Sequence, residues 1–122
     1  GLEAQVHFLG FVSNPQALYS KTAVFVLPSR FEGMPNALLE AMGAGMAVLV
    51  SDASPGPLEV VVDQVTGLVF PSGDVDALAC GMDCASRDSV MRTKLGNEAK
   101  ILMTAHRWDV LGSTWKDILK LC

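Results

Sequence analysis

Residues Ala23–Asp52 read "AVFVLPSRFEGMPNALLEAMGAGMAVLVSD", and the order of apolar and breaking residues in them decides the fold. The runs "AVFVLPS" and "AVLVS" are strand-sized, and they lack the polar alternation of a strand with one wet face. Between them, "PNALLEAMGAG" is a helix opened by Pro35 and closed around Gly43 and Gly45. Strand, helix, strand at this spacing is a βαβ unit with parallel strands. Pro35 disfavours helical geometry at Met34, so Glu32 belongs to the loop before the helix, while Glu40 lies in its second turn.

Working outward, "QVHFLG" reads as an earlier strand. "NPQALYSKT" follows as a helix with Asn14 as N-cap and Pro15 at the first helical position. "GPLEVVVDQVTG" reads as a short helix plus a turn, and "GLVFP" as a last strand. The expected fold is α/β: a Rossmann-like parallel sheet of about four strands with flanking helices over 1–72, then a helical tail over 73–122. In that tail Asp74 can cap "VDALACGMDCAS", with Val75, Leu78, Ala79 and Met82 at helix-face spacing. A second tail helix is expected from Ser89 to Ala105, with Val90, Leu95, Ile101 and Leu102 as core positions. A third is expected from Asp109 to Leu121, carrying Val110, Leu111, Trp115, Ile118, Leu119 and Leu121.

The chain has 122 residues, 50% hydrophobic and 18% charged, which is enough for one domain with a real core. A net charge of −4 with scattered Lys and Arg argues against nucleic acid as a partner, since phosphate-backbone binding needs a basic footprint. No apolar run reaches membrane-span length. The first residues lack the basic region and long apolar core of a secretory leader. Cys80, Cys84 and Cys122, an odd count without metal-like spacing, read as free thiols of a cytoplasmic protein. His7 and His106 lie far from them in sequence.

In open parallel sheets, ligands bind outside the carboxyl ends of the strands. The segments expected at that edge are "GFVSNP", "PSRFEGMP" and "SDASPGP", each running into a helix start whose free amides favour anions. Five residues of helix from Pro35 to Glu40 advance roughly 7–8 Å, so with the loop the two carboxylates could stand on the order of 10 Å apart. The amides of Asn36 to Leu38 lie between them. Carboxylates repel phosphate but accept paired hydrogen bonds from vicinal hydroxyls. That spacing suits a diphosphate flanked by two hydroxylated rings, with Gly33 allowing close backbone approach. From spacing alone, both glutamates read as solvated surface residues.

"VHFLGFV", the stretch from Ala17 to Asp52, and "TGLVFPSGDVDALA" together resemble the C-terminal domain of retaining GT-B glycosyltransferases. More narrowly they resemble glycosyltransferase family four, also called glycosyltransferases group 1. The family motif of two glutamates separated by seven residues stands here as Glu32 and Glu40. The likeness runs from about Val6 to Ala79, and "HRWDVL" with the later tryptophan resembles the family's terminal helices more loosely. The resemblance implies that Glu32 is the catalytic member of the set and binds hydroxyls of the donor sugar. It implies that backbone amides around Gly33, Met34, Asn36, Ala37 and Leu38 meet the sugar and distal phosphate, and that Glu40 holds the ribose. Gly10, Phe11 and Val12 would line the base. The variant here most resembles members that use UDP-sugars in surface-polysaccharide assembly.

On this resemblance, the parent enzyme transfers a sugar from a nucleotide-diphosphate donor to an acceptor hydroxyl, in polysaccharide or glycolipid assembly. It would work in the cytoplasm or at the cytoplasmic face of a membrane. The donor is a substrate, and neither a cofactor nor a metal is implied. The glycan or lipid-linked acceptor would bind an N-terminal domain that has no counterpart in these residues. Nor do the donor domain's opening strands, with the cations that neutralise the diphosphate. These 122 residues are therefore expected to bind UDP-sugar weakly without turnover. The strand "VHFLG" would either close directly against "AVFVLP" or leave an edge that a second molecule fills. Arg30 reads as a solvated loop residue, and Glu59 as a helix-start residue or a ligand. The rival readings are a non-catalytic nucleotide-sugar module, an epimerase-like domain, and a hydrolase using Glu32 and Glu40. The last fits poorly, because hydrolase carboxylates face each other across the scissile bond.

Overall fold

The computed structural model describes residues 1–105. The helix expected over 109–121, together with His106 and Cys122, falls outside the described residues. Three parallel strands form one sheet in the order β1 (Val24–Leu27), β2 (Ala47–Ser51), β3 (Leu68–Phe70). Val24 pairs with Ala47 and Leu27 with Val50, while Leu49 pairs with Leu68 and Ser51 with Phe70. The helices are α1 (Gln16–Tyr19), α2 (Asn36–Gly43), α3 (Pro55–Leu58), α4 (Val75–Arg87) and α5 (Ser89–Ala105).

Side chains alternate across a strand, and both faces of the central strand are covered. Val48 and Val50 point into one core with Leu38, Ala41 and Met42 of α2, Val60 and Val61 after α3, and Ala99 and Met103 of α5. Leu49 points the other way, toward Phe70 and Ala85, with Leu78 and Met91 packed alongside. Every residue of β2 is buried, as an unbroken apolar strand requires. Gly45, at φ +81°, ends α2 in the left-handed region, where a side chain would be strained. Among the described residues no helix is long and apolar enough to cross a membrane.

The first expected strand is not formed. Residues 6–12 have no ladder partner among the described residues, and Phe8 and Phe11 are 97% and 94% exposed. Among the described residues the sheet therefore has three strands rather than four, and "VHFLG" does not close against β1. The physical reason is that apolar composition supplies faces but not hydrogen bonds. A strand exists only where a neighbour accepts its ladder. Asn14 does cap α1, accepting from the Ala17 N–H at 3.3 Å, although Pro15 is the flanking residue itself.

Two helix faces also differ from expectation. On α4 the inward stripe is Ala77, Leu78, Gly81 and Ala85, while Val75, Ala79 and Met82 are exposed. On α5 it is Leu95, Gly96, Ala99 and Met103, while Val90 and Ile101 are exposed and Leu102 is half-buried. In both helices small residues mark the contact. A Cβ on Gly96 would collide with the carbonyl oxygen of Gly45, so α5 approaches the turn before β2 backbone to backbone. Side-chain size ranked the large residues first, whereas close packing favoured the small ones.

Candidate functional site

The strand exits lie together at the carboxyl edge of the sheet, leading from β1 into α2, from β2 into α3, and from β3 into α4. The expected exit loop "GFVSNP" is not among them, because no strand precedes it. Side chains tie the three exits to one another. The Ser51 hydroxyl at the end of β2 donates to the Ser29 carbonyl after β1. Asp52 accepts from the Ser72 N–H at 2.7 Å, joining the exits of β2 and β3.

Glu32 sits inside this lattice. Its carboxylate accepts a hydrogen bond from the Ser29 hydroxyl at 2.6 Å, a short, charge-assisted contact. Its backbone N–H donates to the Ser54 hydroxyl at 2.9 Å. Ser54 flanks the start of α3 yet caps nothing there; its oxygen serves the neighbouring loop instead. A Cβ on Gly56 would overlap the Gly33 carbonyl, so the turn at α3 and the Glu32 loop touch backbone to backbone. Gly33 itself faces open space.

The helix starts at this edge are not equivalent. At α4 the Asp74 carboxylate accepts from the Ala77 N–H at 2.8 Å, which fills that end as expected. At α3, Pro55 and Pro57 carry no N–H to offer. At α2 the flanking Pro35 has no side-chain cap. Asn36 and Ala37 are exposed, and their amides meet no acceptor among the described residues. Leu38 departs from expectation: its N–H bonds the Pro35 carbonyl at 3.1 Å and its side chain is wholly buried. Its amide is spent on closing the first turn, so the accessible donors at α2 are those of Asn36 and Ala37.

Glu40, one turn further along α2, lines a cleft of about 510 Å³ with Met34, Leu39, Gly43, Glu59, Val60 and Met103. Glu59 is the residue closing α3, not a helix-start residue. It lines the same cleft as Glu40. On another side, Glu40 meets Tyr19. Burial, and then the neighbouring Glu40 carboxylate, push the Tyr19 phenol above its ordinary 10.0. Tyr19 is held edge-on against Phe25, with ring centroids 6.2 Å apart. Gly10, Phe11 and Val12 make no hydrogen bond to this site among the described residues, and Arg30 is exposed.

Tyr19 is the only tyrosine of the chain, so its ionisation can be read directly by ultraviolet absorbance. Its midpoint is expected above 10.0. Because the folded value is raised, the associated stability is fully present below the unfolded phenol's value and is lost as pH climbs through the folded one. Glu40→Ala should lower the midpoint while leaving it above 10.0, since burial is the larger cause. A midpoint unmoved by Glu40→Ala would separate the two residues.

Sequence reasoning found both glutamates and the helix start between them, but missed the serine ties and Tyr19. Ser29, Ser51 and Ser54 stood in the quoted loops, but nothing in their spacing showed which atoms would meet.

Residues 1–102 match the family Glycosyl transferases group 1. An uncharacterized glycosyltransferase of Methanocaldococcus jannaschii is 33% identical over 99% of this chain and 32% of its own length. The GalNAc-alpha-(1->4)-GalNAc-alpha-(1->3)-diNAcBac-PP-undecaprenol alpha-1,4-N-acetyl-D-galactosaminyltransferase of Campylobacter jejuni is 34% identical over 81% of this chain and 28% of its own. Among solved structures, Anabaena HepE in complex with UDP superposes with a TM-score of 0.85 at 25% identity, covering 98% of this chain and 33% of that one. The C-terminal domain of the glycosyl transferase group 1 family protein LpcC from Francisella tularensis gives 0.75 at 28% identity, covering 85% and 54%. The chain spans about a third of the length of the first curated relatives it matches. Sequence and backbone agree over nearly all the described residues: the chain belongs to the glycosyl transferases group 1 family, as part of a GT-B C-terminal domain.

Proposed function

We propose that this chain is the donor-binding part of a retaining glycosyltransferase that takes a UDP-sugar and passes the sugar to an acceptor hydroxyl in polysaccharide or glycolipid assembly. The observation carrying this reading is the uncapped start of α2, open at Asn36 and Ala37, with one carboxylate before it and one beyond it. Those amides suit the diphosphate, whose negative charge grows as the sugar departs. Glu40 suits the ribose diol and Glu32 the hydroxyls of the sugar, each carboxylate being an acceptor only. Phe11, exposed near the start of α1, offers an aromatic face to the base. Support comes from HepE, solved with UDP and with UDP-glucose, and from Campylobacter relatives whose names specify undecaprenol-linked acceptors.

The test is titration of the chain with UDP and with UDP-glucose, followed through backbone amide shifts. Saturable shifts centred on Gly33 to Ala37 are expected for both, extending to Glu32 with UDP-glucose only. Shifts confined to other surfaces, or none at millimolar ligand, would reject the reading.

A further inference from the structure

The serine lattice around Glu32 has a consequence beyond holding a loop. A carboxylate has two oxygens and several acceptor directions. On Glu32 one oxygen, Oε1, is committed to the Ser29 hydroxyl at 2.6 Å. Ser29 is in turn anchored through its own carbonyl, which accepts from the Ser51 hydroxyl. The Glu32 backbone is pinned independently by Ser54 at 2.9 Å. Ser51 and Ser54 are buried, at 5% and 6% exposure, so the anchors are set in the core rather than on the surface.

We propose that Ser29 is a positioning residue for sugar recognition: by occupying Oε1 it fixes the rotation of the Glu32 carboxylate and presents Oε2 to the donor's hydroxyls. This rests on the donor-binding reading above. A glutamate four residues before a helix, on a loop, would otherwise sample several rotamers. Holding the carboxylate before the ligand arrives removes that ordering cost from binding. The nucleotide half of the ligand lies toward Asn36, Ala37 and Glu40, away from this contact. The effect of losing Ser29 should therefore fall on the sugar and spare the nucleotide.

The experiment compares Ser29→Ala, Ser29→Thr and Glu32→Gln with the unaltered chain, titrating UDP and UDP-glucose against each by amide shifts. Return of the ordering cost of one side chain is expected to weaken UDP-glucose by up to about tenfold in Ser29→Ala, with UDP changed less than about twofold. Ser29→Thr keeps a hydroxyl and should restore most of the difference. Equal weakening of both ligands in Ser29→Ala would show a merely structural role and overturn the proposal. So would unchanged UDP-glucose affinity in Ser29→Ala alongside a clear loss in Glu32→Gln. Failure of the unaltered chain to bind either ligand would instead remove the donor-binding reading on which the proposal stands. That result is distinguishable because it needs no variant.

Discussion

Gly56→Ala should destabilise the chain by about 3 kcal/mol or more, lowering the melting temperature on the order of 10 °C. The added methyl would overlap the Gly33 carbonyl oxygen and crowd the Gly33 carbonyl carbon. Both are backbone atoms, so no side chain can swing away to make room. Relief requires the turn at α3 and the loop before α2 to part. That parting would also pull Glu32 from Ser54, whose hydroxyl holds the Glu32 N–H. Gly33→Ala is the internal control, because a Cβ there meets nothing within 4 Å among the described residues. It should cost no more than about 1 kcal/mol. Thermal unfolding followed by circular dichroism compares the two. Equal, small shifts would mean that the loops do not pack as described.

Glu40→Ala is expected to raise the dissociation constant for UDP by about ten- to a hundredfold, the loss of charged hydrogen bonds to a vicinal diol. Because Glu40 is exposed on α2 and its side chain supports no part of either core, the melting temperature should move little. The separation of these readouts makes the variant informative. A loss of affinity without a loss of stability assigns Glu40 to the ligand. Unchanged UDP affinity would leave α2 as a scaffold and favour a module that binds no nucleotide at this helix. The Tyr19 titration supplies a third, independent readout, since Glu40 is one cause of that phenol's raised value.

Much of this was legible from local chemistry. Pro35 breaks the backbone before a helix, and Gly43 to Gly45 end it, so the placing of Glu32 in a loop and Glu40 on a helix needs no tertiary information. The apolar runs around them likewise declare strands covered on both sides, and Asp74 declares the start of α4. The same local logic failed for "QVHFLG", which has strand composition and no strand. It failed again for α4 and α5, where Val75, Val90 and Ile101 face solvent and Gly81, Gly96 and Ala99 face their neighbours.

What the amino-acid sequence determined alone is thus the succession of elements from β1 to β3 and the position of two acidic residues about one helix start. These follow from backbone preferences and hydrophobic period, which act over a few residues. Only the tertiary structure decided that Ser51 and Ser54, from the exit of β2, hold the loop of Ser29 and Glu32, and that Glu40 lies beside Tyr19. Both depend on which segments distant along the chain come together in space, and the hydrogen bonds that Ser51 and Ser54 make to that loop, each joining residues 22 apart, have no signature in local spacing.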